Sequence, residues 1–497
     1  MKVQQFARSL WVLVLLMPGF ALPAHGNAIS VTNVSILNAE DGLADIQFDL
    51  SWSNGWNLTW SEDGGATVVT NRDAAWVFVK FRVGPGEWRQ AWLAPTGHLA
   101  TGETIIEVAS NGGDTNVGAF IYLSNTTAGA VNCPGMRLKW AYTKNGMTGT
   151  SSVDISVHAI EMVYMPAAAF YLGSGGGEFA PFHTYPNVTT PYLVAGEAEI
   201  PVGTTNDYLY YAVQYYSGGD EFGANNWRGG DGLGPIPAGY PKGFAAMYGM
   251  KYEISQGQYA DFLNYAGGYA GTYYPGANGA HRHTLSLTGG VYVASAPDRA
   301  CNYLSWADLA AYLDWAALRP MTELEYEKAC RGPLSPVANE YAWGSISIQQ
   351  LTGFVGSDGS GEETASPPTA NANYDVLYTV SGPARAGIYA TATSTRYAAG
   401  AGYYGAMELG GNVNEMVIGV NHPDGRAFTA QHGDGLLMSR PSTWPGSSSI
   451  GVMTRGGSFE SGSPVLRTSN RSGVFRDYTY LDSRRRYAGG RGVRSVP

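Results

Sequence analysis

From about residue 29 to residue 160 the chain carries the period of strands and no helix start, whereas beyond Glu161 three helix starts follow in close succession. In the first stretch Ile46, Phe48, Leu50 and Trp52 alternate with Asp45, Gln47, Asp49 and Ser51, the period-two pattern of a half-buried strand. Further runs lie at 75–81, 107–108, 120–123, 136–140 and 153–157, with glycine and asparagine clusters between them. Short strands without an intervening helical period predict an antiparallel β-sandwich over residues 27–160. Trp56, Trp60, Trp88 and Trp92 within it have the chemistry to stack on sugar rings, but packing between strands is the ordinary use of such residues.

In the second region, 161–497, the helix starts are capping boxes: Ser255 with Gln258, Ser305 with Asp308, and Thr322 with Glu325. Apolar residues at helical spacing follow, such as Tyr259, Phe262 and Leu263, or Leu309, Tyr312 and Leu313. Between and after these helices the chain is mostly Gly, Ser, Asn and Tyr, which predicts long ordered loops. Composition agrees, with 67 glycines among 497 residues and only 14% charged residues, against roughly 25% in ordinary domains. The expected fold class is a mainly β N-terminal sandwich followed by an α+β, loop-rich domain.

The net charge of −10 leaves no basic footprint for nucleic acid. An acidic, glycine-rich surface suits divalent cations and also simply keeps a protein soluble. Lys2 and Arg8 precede the apolar run 10–17 and a small-residue stretch to Gly26, the layout of a cleaved secretory signal over 1–26. Pro18 and Pro23 interrupt that run short of the roughly 20 residues a membrane span needs, and no later segment is apolar enough. The expected location is therefore secreted, extracellular or at the cell surface. Cys133, Cys301 and Cys330 allow at most one disulfide, with Cys301–Cys330 the natural candidate because they flank two predicted helices.

Seven blocks of the second region resemble, in order, the sulfatase-modifying-factor (formylglycine-generating-enzyme) family. They are 162–166 with 170–174, 250–259, 304–332, 341–344, 410–415, 455–459 and 490–494. The segment 182–242 is an insertion relative to the minimal family pattern; Gly218-Gly219-Asp220, Trp227 and Gly229-Gly230-Asp231-Gly232 within it have the composition to shape a groove.

The resemblance implies a fold distantly related to C-type lectins, with a groove near the C-terminal loops. It also implies, for the founding activity, a copper held by two cysteines after the Arg-Gly-Gly-Ser segment. This chain has no cysteine beyond Cys330, and residues 460–471 offer hydroxyls and guanidinium groups where Cu(I) requires thiolates, so copper and formylglycine formation are not expected. A second branch, similar to ergothioneine synthases, holds iron through histidines. Here His281-Arg282-His283 is the one close pair, and it reads as a solvated loop.

Calcium is the metal the resemblance favours, as a structural ion. Its implied ligands are Glu408, where the family more often has Asp or Asn, the carbonyls of Gly411 and Val413, and the carboxylate of Glu415. The alternative for Glu415 is an ion pair with a C-terminal arginine. A second implied site would use Asn373 and the carbonyl of Tyr374, with a later acid that the sequence does not supply. Arg467, Arg471, Arg476, Tyr478 and Tyr480 form a candidate pocket for an anionic or sugar-like ligand, although stitching of loops is the duller use of such arginines.

The leading expectation is a non-catalytic, calcium-stabilised extracellular module that binds a glycan or a protein. Two rivals stay open: a metal-dependent oxidoreductase with a divergent site, and a structural subunit of an extracellular assembly.

Overall fold

The computed structural model describes residues 29–497 apart from 63–66, 113–114, 212–233, 278, 392, 438–439, 448 and 476–480. The signal segment and the glycine-aspartate clusters of the insertion therefore lie outside the described residues.

The strand Leu43–Glu62 is 20 residues long, and its first half lies between Ser30–Glu40 and Thr127–Trp140. Its last residues pair with the start of Thr67–Val83, which then leaves to pair with Val153–Met165 and Asn116–Leu123. The long hairpin thus belongs to two layers. Ile46, Phe48, Leu50, Met136, Leu138 and Trp140 of one layer pack on Val77, Val79, Phe81, Ala119 and Ile121 of the other. This is the expected sandwich, with the alternating residues facing inward.

Residues 75–81 do not alternate because both of their faces are covered. Ala75, Val77, Val79 and Phe81 face the sandwich, whereas Trp76 and Phe78 enter a second core with Trp306, Leu309, Tyr312 and Trp315. Lys80 lies on this second face, and its ammonium donates to the carbonyls of Trp315 (2.6 Å) and Gly435 (2.8 Å). Burial pulls its pKa down to about 7 against the attraction of Asp314 and Asp434.

The boundary expected at 160/161 falls inside the strand Val153–Met165. That strand continues the sheet into Met247–Met250, then Gly492–Ser495, then Arg319–Pro320. A boundary needs few crossing contacts, and here they are dense. Lys251 is buried between Glu161 (2.9 Å) and Asp73 (3.3 Å), and Trp76 Nε1 donates to the Ala316 carbonyl at 2.8 Å. Trp56 lies beneath Lys251, with the ammonium 4.6 Å from its ring centroid, and bonds Asn71.

All three capping boxes form, on the helices Gln256–Tyr265, Trp306–Trp315 and Glu323–Arg331. Every residue of Glu323–Arg331 is buried although five of its nine are charged. Cys301 and Cys330 do not pair: with Cys133, all three are free and buried, and each lies in a different core. Helix packing carries them into separate interiors instead of toward one another.

Candidate functional site

The C-terminal arginines supply the countercharges for the buried helix. Glu323 accepts from Arg471 Nε (2.7 Å) and Nη2 (3.0 Å), from Arg455 Nη1 (3.1 Å) and from the Val420 amide (2.8 Å). Glu327 accepts from Arg455 at 2.7 Å, and Arg331 bridges Glu327 and Glu340. Arg471 is thus fully buried and does not reach an open pocket, contrary to its expected role as a ligand residue: a carboxylate inside a core holds its partner more tightly than a groove could. Arg476, Tyr478 and Tyr480 lie outside the described residues. Of the two expected ligand residues that are described, Arg467 is the one placed at a cavity.

That cavity, of about 480 Å³, is lined by residues 176–181, His183, Val188, Pro464, Arg467 and Asn470. Arg467 Nη1 donates to Asn339 Oδ1 at 2.9 Å, and the same oxygen accepts from the Gly177 amide at 3.0 Å. Glu178 is 6% exposed; Ser174 Oγ donates to its Oε1, while Oε2 has no partner. Gly176 is required here, since a Cβ would sit 2.6 Å from the Asn339 amide nitrogen and 2.7 Å from Glu178 Oε2. His183 and Val188 come from the insertion, so its described part does shape the cavity.

A second cluster surrounds residues 408–415. Glu253, Glu408 and Glu415 are all buried. Arg491 Nε donates to Glu415 Oε1 at 2.7 Å and its Nη2 lies 2.6 Å from the same oxygen, which realises the ion-pair alternative for Glu415. Glu253 accepts from the Val413 amide (3.0 Å) and the Asn412 side chain (2.5 Å), and Glu408 Oε1 accepts from the Gly387 amide (2.9 Å). Glu408 Oε2 and Glu415 Oε2 are buried without partners. Burial pushes the Glu408 carboxyl up to about 7, with Arg491 only partly opposing it, and drives Glu253 well above the usual range, reinforced by Glu415. Three carboxyls share one directly bonded guanidinium, so the cluster is short of positive charge. Sequence reasoning missed Glu253 and Arg491 as members, although both stand inside blocks it had singled out.

Asn373 lies against this loop instead of forming a site apart. Its carbonyl accepts from the Asn412 amide at 2.9 Å, its Nδ2 donates to Asn412 Oδ1 at 3.1 Å, and its own Oδ1 is unpartnered. The Tyr374 carbonyl accepts from Gln350 Nε2 at 2.9 Å. His281 pairs with Ser381 at 3.0 Å, and His283 is not solvated as expected but buried against Asn302 at 2.9 Å.

Residues 238–495, just over half of the chain, match the sulfatase-modifying factor enzyme 1-like domain. The chain belongs to the sulfatase-modifying factor family. No curated protein is similar enough to match it. The founding copper chemistry of this family does not fit the residues present, because the thiols are in the cores and residues 460–471 contain none. The buried, unpartnered carboxylate oxygens of Glu408 and Glu415 are of the donor type that a hard divalent cation takes. Among the described residues no three His, Cys, Asp or Glu side chains are placed to hold a metal by themselves, so such an ion would also need carbonyl oxygens of the loop.

Proposed function

We propose that this chain is an exported, non-catalytic member of the sulfatase-modifying factor family that works as a calcium-stabilised extracellular binding module. The observation that carries the reading is the position of the thiols. Cys301 and Cys330 are fully buried in different cores, and burial drives Cys301 well above the ordinary thiol range and Cys330 up to about 12. Thiols so protonated and enclosed are poor ligands and poor nucleophiles. The loop after Ser458 instead presents Arg467 to an open cavity beside the insertion.

Calcium would be held by the free oxygens of Glu408 and Glu415 with the carbonyls of Gly411 and Val413, and it would supply the positive charge this cluster lacks. Export rests on the charged start, apolar run and small-residue stretch of residues 1–26. Among the described residues no helix is long and apolar enough to cross a membrane.

The test incubates the purified protein with a cysteine-containing peptide, Cu(I) and oxygen, and follows peptide mass and oxygen uptake. No conversion is expected; formylglycine in the peptide would refute the non-catalytic reading. Sequencing the N-terminus of exported material should find it near residue 27.

A further inference from the structure

We infer that the cavity between residues 92–115 of the sandwich and residues 431–441 of the second region is a binding site for a neutral saccharide, an inference that rests on the binding-module reading above. Its volume is about 320 Å³. Of the four tryptophans with the chemistry to stack on a sugar ring, three are already occupied. Lys251 lies 4.6 Å from the ring centroid of Trp56, Tyr403 lies 6.0 Å from that of Trp60, and Trp88 is covered by Tyr265 at 4.6 Å and Arg82 at 4.7 Å. Trp92 differs. It is half-buried at the wall of the cavity, packs in none of the hydrophobic cores, and has no ring or cation against it among the described residues. An indole combines a large apolar face with a polar N–H tip, and a sugar ring, with its apolar C–H face and its rim of hydroxyls, is the complement of both.

The polar lining selects the rest of the ligand. The Ser495 amide donates to His432 Nε2 at 2.9 Å, so the ring proton sits on Nδ1, and burial with Arg494 and Arg319 nearby keeps the imidazole neutral. His432 therefore offers a donor, as the Trp92 indole does. Neither N–H has a protein partner, and neither is sealed from solvent. Asp434 supplies an acceptor, and Asn111, Thr115 and Gln431 add uncharged amides and a hydroxyl. Gln431 is exposed and the others are half-buried, so a ligand can reach them. An ammonium cannot accept from the two N–H donors, and an anion would meet Asp434. A hydroxyl both donates and accepts, so it answers the carboxylate and the N–H groups alike.

The site is held in place before any ligand arrives. The Trp92 amide donates to Asn145 Oδ1 at 3.0 Å and its carbonyl accepts from the Ala141 amide at 2.9 Å. Asn111 Oδ1 accepts from Arg494 at 2.9 Å while its Nδ2 donates to the Gly433 carbonyl, and Asp434 Oδ1 accepts from the Leu436 amide at 2.8 Å. Groups fixed in this way lose little freedom on binding. Trp92, Asn111 and Thr115 precede residue 238, where the family match begins, so the family domain by itself does not carry this site.

Saturation-transfer NMR on the exported chain should find saturable binding of at least one of glucose, galactose, mannose, N-acetylglucosamine, maltose, cellobiose and chitobiose. Trp92→Ala should weaken that binding about tenfold or more while melting as the parent does, because the ring belongs to no core. Leu436→Trp, which fills the cavity from the 431–441 side, should abolish binding and covers the case in which Trp92→Ala fails to fold. Trp88→Ala, which removes a ring packed elsewhere, should bind as the parent does. No saturation by any of these sugars, or binding equal to the parent's in a folded Trp92→Ala or Leu436→Trp, overturns the inference, and so does a loss in Trp88→Ala as large as that in Trp92→Ala. Saturable binding of acetate or tetramethylammonium and of no sugar overturns the saccharide and leaves the binding module standing. Oxidation of the cysteine peptide in the assay above overturns the binding module itself.

Discussion

Replacing Arg471 with Met removes the partner on which a fully buried carboxylate depends most. Glu323 would lose two charge-assisted bonds, of 2.7 and 3.0 Å, and keep one from Arg455 at 3.1 Å and one from the Val420 amide. The Arg471 guanidinium is also packed 4.0 Å from the Phe182 ring centroid and 4.9 Å from that of Tyr211, so its shape is only partly replaced. Breaking a buried pair costs about 3–5 kcal/mol. Unfolding entropy of about 2.1 cal/mol/K per residue, over 497 residues, gives about 1 kcal/mol/K, so the melting temperature should fall by about 3–5 °C. The pH dependence has a definite sign. Burial alone would raise the Glu323 carboxyl, but Arg471 and then Arg455 outweigh it and hold it below the usual range. Its contribution is therefore full above the unfolded pKa of about 4.3 and is lost as pH falls through the folded value. The deficit of Arg471→Met should be widest at pH 6–7 in scanning calorimetry and narrow below about pH 4. A melting temperature within 1 °C of the parent, or a deficit independent of pH, would refute this account of the arginines.

Three further outcomes are expected. In chelator, stability should decline as pH rises from about 4.3 toward 7, because Glu408 binds its proton more tightly folded than unfolded. Calcium at about a hundred times its dissociation constant should add about 2.7 kcal/mol and flatten that decline, and Glu408→Gln should abolish both effects; identical melting with calcium and with chelator at pH 7.5 would count against the site. With Ellman's reagent the native protein should show no reactive thiol and the denatured protein three, whereas a native disulfide would leave one. A chain starting at residue 161 should give no cooperative melting transition, because it lacks the strand Thr67–Val83 that covers Val153–Met165; a folded product would restore the expected boundary.

Much of this architecture is legible in local chemistry. The capping boxes mark the starts of the three long helices because a cap is settled within four residues, whereas the single turns Ala270–Tyr273 and Pro423–Arg426 carry no such box. The alternation at 45–52 identifies a sandwich face for a similar reason, since period two survives wherever one side of a strand stays polar. Residues 75–81 carry no such label, and neither their second covered face nor the continuation of the sheet through Val153–Met165 can be read from them. At the candidate sites, Glu408 and Glu415 were in reach because their motif is contiguous. Glu253 and Arg491 reach the same cluster from far along the chain, and Glu178 lines one cavity with Arg467 although nearly three hundred residues separate them.

The sequence by itself therefore determined the family, the helix starts and the shortage of thiols after Cys330, since each is a matter of residue type and short spacing. Only the tertiary structure decided what each charge does. It made Arg471 a core counterion and left Arg467 at a cavity, although the two are four residues apart, because the fate of a charge depends on which distant groups share its desolvated surroundings.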